Sequence, residues 1–153
     1  QSDKEKWFMD AQKVLQKNTV VFTGYLTHDK LCHLFPCCDI AAFPSIVAEA
    51  GPLVFLEALA CGTFPLGTYF AGMAASIDSV EEVMGREVAD KMKLTPDGSK
   101  LVQDIVIHAN EALDLDGSCR EGLRQLAVEK YDWKAVGGKM IKTLSQLTAE
   151  SLN

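Results

Sequence analysis

The stretch DIAAFPSIVAEAGPLVFLEALACGTFPLGTYF, residues 39–70, decides the fold, because two short apolar runs in it enclose a helical segment. The runs DIAAFPS at 39–45 and TFPLGTYF at 63–70 show no alternation of polar and apolar residues. Runs of this kind are typical of parallel strands that are buried on both faces of a sheet. A helix between two of them predicts a strand–helix–strand unit and an α/β fold.

The sequence marks both ends of the helical segment. Pro52 suits the first turn of a helix, where its missing N–H group would lack a partner anyway. Gly62 suits the position just past the end. These two residues predict a helix over residues 53–61. Every residue in it except Glu57 is apolar, which predicts a helix buried in the core.

Patterns on both sides extend this unit. The β-branched run at 18–24 and the short run KMKL at 91–94 predict two more strands. Helical spacing of apolar residues predicts helices at 3–17, 31–35, 80–88, 101–113, 123–127 and 133–144. TPDGS at 95–99 predicts a turn and the N-cap of the helix after it, and Asp132 predicts the N-cap of the last helix. We therefore expect an α/β domain with a helical C-terminal tail.

Length, composition and charge bound the class of protein. A chain of 153 residues suits one compact domain, and 48% apolar with 24% charged residues is ordinary for a globular protein. The formal net charge is −6, and Lys and Arg are scattered along the chain. This charge opposes binding to phosphate backbones and anionic lipid. We therefore expect no nucleic-acid partner.

The sequence also predicts the cellular compartment. It has no apolar run of 18 residues, and the polar start QSDKEKWFMD lacks the apolar core of a secretory signal. The five cysteines are an odd number and do not stand at the spacing of a disulfide framework. We therefore expect a cytoplasmic protein without a transmembrane segment.

Two carboxylates in residues 39–70 suggest a ligand site. Taking an ionised carboxylate such as Glu57 out of water costs several kcal/mol, so it must face a cleft, be protonated or have a partner. Glu49 lies in the loop after the predicted strand, at the edge of a parallel sheet where ligands bind. The free N–H groups near Leu53 and Val54 would attract a phosphate. Spacing alone leaves open the alternative that Glu57 forms a structural ion pair and Glu49 is a solvated loop residue.

Motifs in a fixed order point to a known family. V-x-F-x-G at 20–24, the Asp-led strand ending in Pro-Ser at 39–45, E-x7-E from Glu49 to Glu57 and A-x-A-C-G-x-x-P at 58–65 follow one another. In this order the sequence resembles the nucleotide-sugar-binding half of group-1 GT-B retaining glycosyltransferases, relatives of glycogen synthase, sucrose synthase and bacterial mannosyltransferases. YDWKAVGGKMI at 131–141 also resembles the start of the closing helix in that family.

The resemblance implies a Rossmann-like parallel sheet flanked by helices, one half of a GT-B fold. It implies that Glu57 binds the ribose of a UDP-, GDP- or ADP-hexose substrate, and that Glu49 lies beside the sugar as the candidate catalytic residue. Backbone groups would border the rest of the donor: Tyr25 and Leu26 the base, and Gly51, Pro52, Leu53 and Val54 the diphosphate or sugar. It implies neither a resident cofactor nor a metal.

Two departures from the family pattern bear on activity. The usual aromatic-glycine after the first glutamate is replaced here by Ala50-Gly51-Pro52, which leaves the donor open. The resemblance covers only the second of two Rossmann-like domains, so we expect residues 1–153 to be a single, partial C-terminal domain. The N-terminal acceptor domain would then be missing, and the chain alone would be inactive. No Arg or Lys matches the basic pair of the family, and Lys30 is one residue off.

Other readings stay open beside this one. The cluster His28, Cys32, His33, Cys37 and Cys38 invites a zinc site, but its spacing matches no common finger, so we expect no metal and expect Cys37 and Cys38 to be buried. Gly72 would allow the backbone to approach the sugar closely. A non-catalytic regulatory or interaction domain that keeps the fold is the main alternative function. A flavodoxin-like domain is disfavoured, because no phosphate loop follows the first strand.

Overall fold

The structure is a computed structural model that describes residues 3–15 and 20–150. The chain divides into two compact units, residues 1–31 and residues 32–153. In the first unit, α1 (Asp3–Leu15) confirms the predicted N-terminal helix, and α2 (His28–Leu34) begins near the end of this unit.

The strand predicted at 18–24 is wrong for its described part. Residues 20–24 are irregular, and residues 18 and 19 lie outside the described residues. Val21 is 80% exposed, and Gly24 has a φ of +68°, which is not the extended backbone of a strand. A strand exists through hydrogen bonds to a neighbouring strand, so a β-branched run alone does not produce one.

The second unit is built on three parallel strands in the order β1-β2-β3. They are β1 (Ile40–Phe43), β2 (Phe64–Thr68) and β3 (Lys93–Leu94). Ile40 pairs with Phe64, and Gly67 with Lys93. All five residues of the central strand β2 are buried. The predicted α/β class, its parallel sheet and the short third strand are confirmed.

Helices flank this sheet and continue to the end of the described chain. They are α3 (Leu53–Cys61), α4 (Ala71–Met84), α5 (Arg86–Asp90), α6 (Leu101–Leu113), α7 (Gly117–Tyr131) and α8 (Trp133–Glu150), and a 3₁₀ turn (Phe35–Cys37) follows α2. The helix predicted at 80–88 is divided at Gly85, whose φ of +86° is outside the helical region. The long helix α8 is the predicted helical tail.

Helix caps confirm one sequence prediction and correct another. The Asp132 carboxylate accepts a hydrogen bond from the N–H of Lys134 at 2.8 Å, as predicted for the N-cap of α8. No side chain caps α6, because Asp97 in TPDGS accepts instead from the N–H and hydroxyl of Ser99. That segment therefore forms the predicted turn without the predicted N-cap.

The core lies around β2, where α3 packs against α7 and α6 contacts all three strands. Its largest fully buried side chains include Phe55, Leu59, Leu66, Ile77, Met92, Leu123 and Leu126. Burying each such side chain contributes about 1.5 to 3 kcal/mol. The core therefore fixes α3 between the sheet and α7.

The long helix α8, at the end of the described chain, differs from this core in exposure. On α8, apolar side chains point into open surroundings: Trp133, Val136, Met140, Ile141, Leu144 and Leu147 are all exposed. None of the helices within residues 3–15 and 20–150 is both long and apolar enough to cross a lipid bilayer.

Candidate functional site

The candidate site begins where β1 ends. Residues 44–52 form an irregular loop from the carboxyl end of β1 to α3. Pro52 stands immediately before α3, one place earlier than the first-turn position, and its carbonyl oxygen accepts from the N–H groups of Phe55 and Leu56. Gly62 ends the helix with a left-handed φ of +71°, as predicted. The sequence thus located α3 correctly.

The helix α3 is buried along only part of its surface. Phe55, Ala58 and Leu59 are buried, whereas Leu53 is 67% exposed and Val54 is also exposed. The prediction of a helix buried all round is therefore wrong, since Ala60 near the end of α3 is exposed as well. No side chain caps the N-terminus of α3, and the exposed Leu53 and Val54 make the positive end of the helix dipole accessible, although Pro52 before it is fully buried.

Glu57 is half-buried in the second turn of α3 and lines a groove of about 320 Å³. The groove is lined by Leu53, Leu56, Glu57 and Ala60 of α3, by Ala127, Val128 and Tyr131 of α7, and by Asp132 and Trp133 at the start of α8. Glu57 is thus not sealed inside the core. Its surroundings are mainly apolar, which strengthens any hydrogen bond that the carboxylate accepts there.

The far wall of this groove was not predicted from the sequence as part of a site. Tyr131, Asp132 and Trp133 stand more than 70 residues after Glu57 in the chain. Asp132 was predicted only as a helix cap, and the sole other signal was the resemblance of 131–141 to the closing helix of the family. The packing of α7 against α3 brings these residues to Glu57.

Glu49 is exposed in the loop between β1 and α3. Its carbonyl oxygen accepts a hydrogen bond of 2.9 Å from the N–H group of Gly72 in the first turn of α4. This hydrogen bond therefore attaches the loop that carries Glu49 to the helix α4. Glu49, Gly51, Pro52 and Val54 do not line the groove at Glu57, but Leu53 does.

The remaining predicted site residues belong to the first unit. Tyr25 is 89% exposed, and Leu26 is half-buried. Both lie in the irregular segment before α2. Each therefore has an accessible or partly accessible surface, as a residue bordering a base would need.

One positive charge of the second unit, that of Lys93, is paired with protein carboxylates. Lys93 has its ammonium 2.7 Å from Asp90 and 3.0 Å from Glu81, and 4.9 Å from the ring centre of Tyr69. The hydrogen bond with Asp90 is the main reason that the pKa of Lys93 is raised. Lys93 is therefore already neutralised by two carboxylates.

The cysteines of this unit differ from the prediction. Cys37 is exposed and Cys38 half-buried, and their thiols donate to the carbonyl oxygens of His33 and Leu34 at 3.4 and 3.5 Å. Burial raises the pKa of the Cys61 thiol, so little thiolate is present at neutral pH. Within residues 3–15 and 20–150, no three His, Cys, Asp or Glu side chains are arranged to hold a metal ion.

Comparison with known proteins agrees with this architecture. Residues 1–82 match the family described as glycosyl transferases group 1. Three curated relatives, each a serotype-specific mannosyltransferase WbdA of Escherichia coli, are 33% identical to the chain over 141 residues. Those residues make up 90% of this chain and 15% of each relative, so the chain spans a small part of their length. No solved structure gives a significant match.

The chain therefore belongs to the group 1 glycosyltransferases. Its parallel sheet, its flanking helices and its long C-terminal helix are those of a Rossmann-like half of the GT-B architecture. The resemblance drawn from the motifs at 20–65 is confirmed at the level of the family.

Proposed function

We propose that residues 1–153 form a single C-terminal GT-B domain that binds the nucleotide-sugar donor of a retaining glycosyltransferase. The parent enzyme would transfer a hexosyl group to a hydroxyl acceptor that an N-terminal Rossmann-like domain binds. The observation that carries the proposal is Glu57, a half-buried carboxylate that lines an open groove in a member of this family. The relatives are mannosyltransferases by name, which favours a mannosyl group.

Glu57 recognises the nucleoside in this proposal. Oε2 of Glu57 is buried, so Oε1, which has two lone-pair sites, would accept from the two hydroxyls of a ribose. Hydrogen bonds to a charged acceptor contribute about 1.5 to 3 kcal/mol each, and the mainly apolar surroundings of Glu57 strengthen them. The backbone groups of Tyr25 and Leu26 border the base in this proposal.

The diphosphate lies at the N-terminus of α3. Backbone groups of Gly51, Pro52, Leu53 and Val54 border it, and the helix end carries about half a positive charge. The exposure of Leu53 and Val54 supports access by a ligand at this end. The same charge stabilises the leaving diphosphate as the sugar departs, because it is fixed in place before the reaction begins.

Glu49 is the candidate catalytic residue. Positive charge develops at the anomeric carbon when the bond to the diphosphate breaks, and a nearby carboxylate stabilises it. The exposed side chain and the anchored backbone of Glu49 support this role. Because water exclusion and the acceptor depend on the second domain, residues 1–153 alone would bind donor without transferring sugar.

Calorimetric titration of residues 1–153 with GDP, UDP, ADP and GDP-mannose tests the proposal. We expect one nucleotide to bind and Glu57→Gln to weaken its binding about tenfold or more, because a charge-assisted hydrogen bond is lost. Glu129→Gln, which changes an exposed carboxylate of α7 outside the groove, is the matched control and should bind as the wild type does. Absence of binding by all four ligands at millimolar concentration, or equal effects of the two substitutions, would contradict the proposal.

The second candidate is a regulatory or interaction domain that keeps the fold without the activity. The sequence Ala50-Gly51-Pro52, which departs from the family pattern, favours it, as do the exposed apolar side chains of α8. Sugar transfer by a parent chain that contains both domains, abolished by Glu49→Ala, would exclude this candidate. Nucleotide binding without transfer by that parent would support it.

A further inference from the structure

The backbone of Glu49 lies against a position where only glycine fits. The N–H group of Gly72 donates to the carbonyl oxygen of Glu49 at 2.9 Å. A Cβ atom at Gly72 would stand 2.5 Å from that oxygen and 2.6 Å from the carbonyl carbon of Ala50, and it would also overlap the carbonyl oxygen of Ala50. These are backbone atoms, so no side-chain rotation can make room. The space at Gly72 is filled by the loop and is not left open for a sugar.

The first turn of α4 is itself fixed to the sheet edge. Tyr69 donates its N–H to the carbonyl oxygen of Leu94 at 2.8 Å, and Phe70 donates to Thr68 at 2.7 Å. Ser76 donates its hydroxyl to the carbonyl oxygen of Gly72 at 3.1 Å. The N–H of Gly72 therefore has a defined direction, set by β2, β3 and α4 together.

A strained residue precedes this contact. Ala71 has a φ of +50°, and it is the one non-glycine residue with positive φ within residues 3–15 and 20–150. A left-handed conformation costs an alanine about 1 to 2 kcal/mol. Such a conformation persists only where the surrounding structure stabilises it, and strain of this kind is common at functional sites.

We propose that Gly72 is a positioning residue, which holds the backbone of Glu49 so that its carboxylate lies beside the sugar. This inference rests on the proposed function of Glu49. Restoring an ordinary contact distance of about 3.4 Å for a Cβ atom at Gly72 requires the loop to move by roughly 1 Å. A displacement of that size near reacting groups can reduce a rate about 100-fold.

The first test needs no ligand and uses the full chain, with Gly72→Ala compared against Gly98→Ala. A Cβ atom at Gly98 would meet nothing within 4 Å, so this variant controls for the substitution itself. The amide of residue 72 donates to the loop, so we expect its hydrogen exchange to rise at least about tenfold in Gly72→Ala and to stay at the wild-type rate in Gly98→Ala. Equal exchange in the three proteins would overturn the proposal.

The second test separates positioning from general stability through donor binding. We expect Gly72→Ala to weaken GDP-mannose about tenfold more than it weakens GDP, because Glu49 contacts only the sugar, whereas Gly51 and Pro52 of the same loop border the diphosphate. In a Glu49→Ala background, Gly72→Ala should add no further loss. Equal weakening of GDP and GDP-mannose, or full additivity, would overturn the proposal. Failure of both ligands to bind the wild type would instead contradict the proposed function and leave the exchange result standing.

A wild-type measurement covers the case in which Gly72→Ala does not fold. A through-hydrogen-bond NMR coupling between the Gly72 amide nitrogen and the Glu49 carbonyl carbon, with slow exchange of that amide, is expected in solution. A rapidly exchanging Gly72 amide would overturn the proposal.

Discussion

Arg124 on α7 donates two hydrogen bonds to the carbonyl oxygen of Cys61, the last residue of α3, from Nε at 3.2 Å and from Nη2 at 3.0 Å. The C-terminal end of a helix carries about half a negative charge, so the guanidinium complements it. This contact ties α7 to the helix that carries Glu57. The groove between the two helices therefore depends on a residue that does not line it.

Replacing Arg124 by methionine keeps much of the packing of the side chain but removes both hydrogen bonds to Cys61, together with an exposed ion pair with Glu121 at 3.4 Å. We expect the free energy of unfolding to fall by about 1 to 2 kcal/mol, measured by urea denaturation. Arg86→Met, which removes an exposed ion pair with Asp90 on α5, is the control and should cost much less. Equal losses of unfolding free energy in the two variants would show that the contact with Cys61 stabilises the fold no more than an exposed ion pair does.

Gly62→Ala tests the crowding at the end of α3. Gly62 has a φ of +71°, and a Cβ atom there would lie 2.8 Å from Nε of Arg124 and 3.1 Å from the carbonyl oxygen of Arg120. We expect a loss of more than about 1 kcal/mol in the free energy of unfolding. Gly24→Ala also has a positive φ, +68°, but open space around the Cβ position, so it should cost less. A greater loss for Gly24→Ala would contradict this assignment.

Thr68→Val tests a buried hydroxyl at the carboxyl end of β2. Thr68 is 2% exposed, and its Oγ1 has no hydrogen-bond partner within the part of the chain that the structure describes. Because valine has nearly the same shape, we expect stability to rise by about 1 kcal/mol in thermal or urea unfolding.

Thr63→Val is the matched control for that substitution. Thr63 is equally buried, but its hydroxyl donates to the carbonyl oxygen of Phe35. Its replacement should therefore lower stability by about 1 kcal/mol, since the carbonyl oxygen of Phe35 loses one of its two donors and keeps only the N–H of Cys38. Stability changes of the same sign in Thr63→Val and Thr68→Val would contradict the different environments that we assign to the two hydroxyls.

Asp116 gives a prediction for the pH dependence of stability. Its carboxylate caps α7 and accepts from the side chain and N–H of Ser118 and from the N–H of Cys119, and these hydrogen bonds hold the pKa of Asp116 below its usual value. A lowered pKa in the folded state stabilises the fold above the unfolded value of about 3.9, and this stability is lost as the pH falls through the folded pKa.

Urea unfolding between pH 6 and pH 2 measures this contribution. Asp116→Asn can still cap the helix but cannot titrate, so the decrease in stability below pH 4 should be shallower than in the wild type. A wild-type slope in Asp116→Asn would contradict the prediction.

Most predictions that depend on neighbouring residues in the sequence were accurate, apart from the N-cap predicted in TPDGS at 95–99. Pro52 and Gly62 gave the bounds of α3 to within one position, and Asp132 was correctly predicted as the cap of α8. These signals act through the backbone of the same few residues, so the rest of the fold changes them little. The strand predicted at 18–24 is wrong over 20–24, because a strand also needs a partner that no local pattern specifies.

The sequence by itself determined the strand–helix–strand unit at 39–68, the position of Glu57 within α3 and the family to which the chain belongs. Only the tertiary structure decided that Tyr131 and Trp133 would face Glu57, and that Gly72 would hold the backbone of Glu49. Local propensity and apolar periodicity act over a few residues, whereas these contacts join distant segments through the packing of whole helices. These contacts depend on which surfaces of α7 and α4 are buried. The packing of the complete core determines those surfaces.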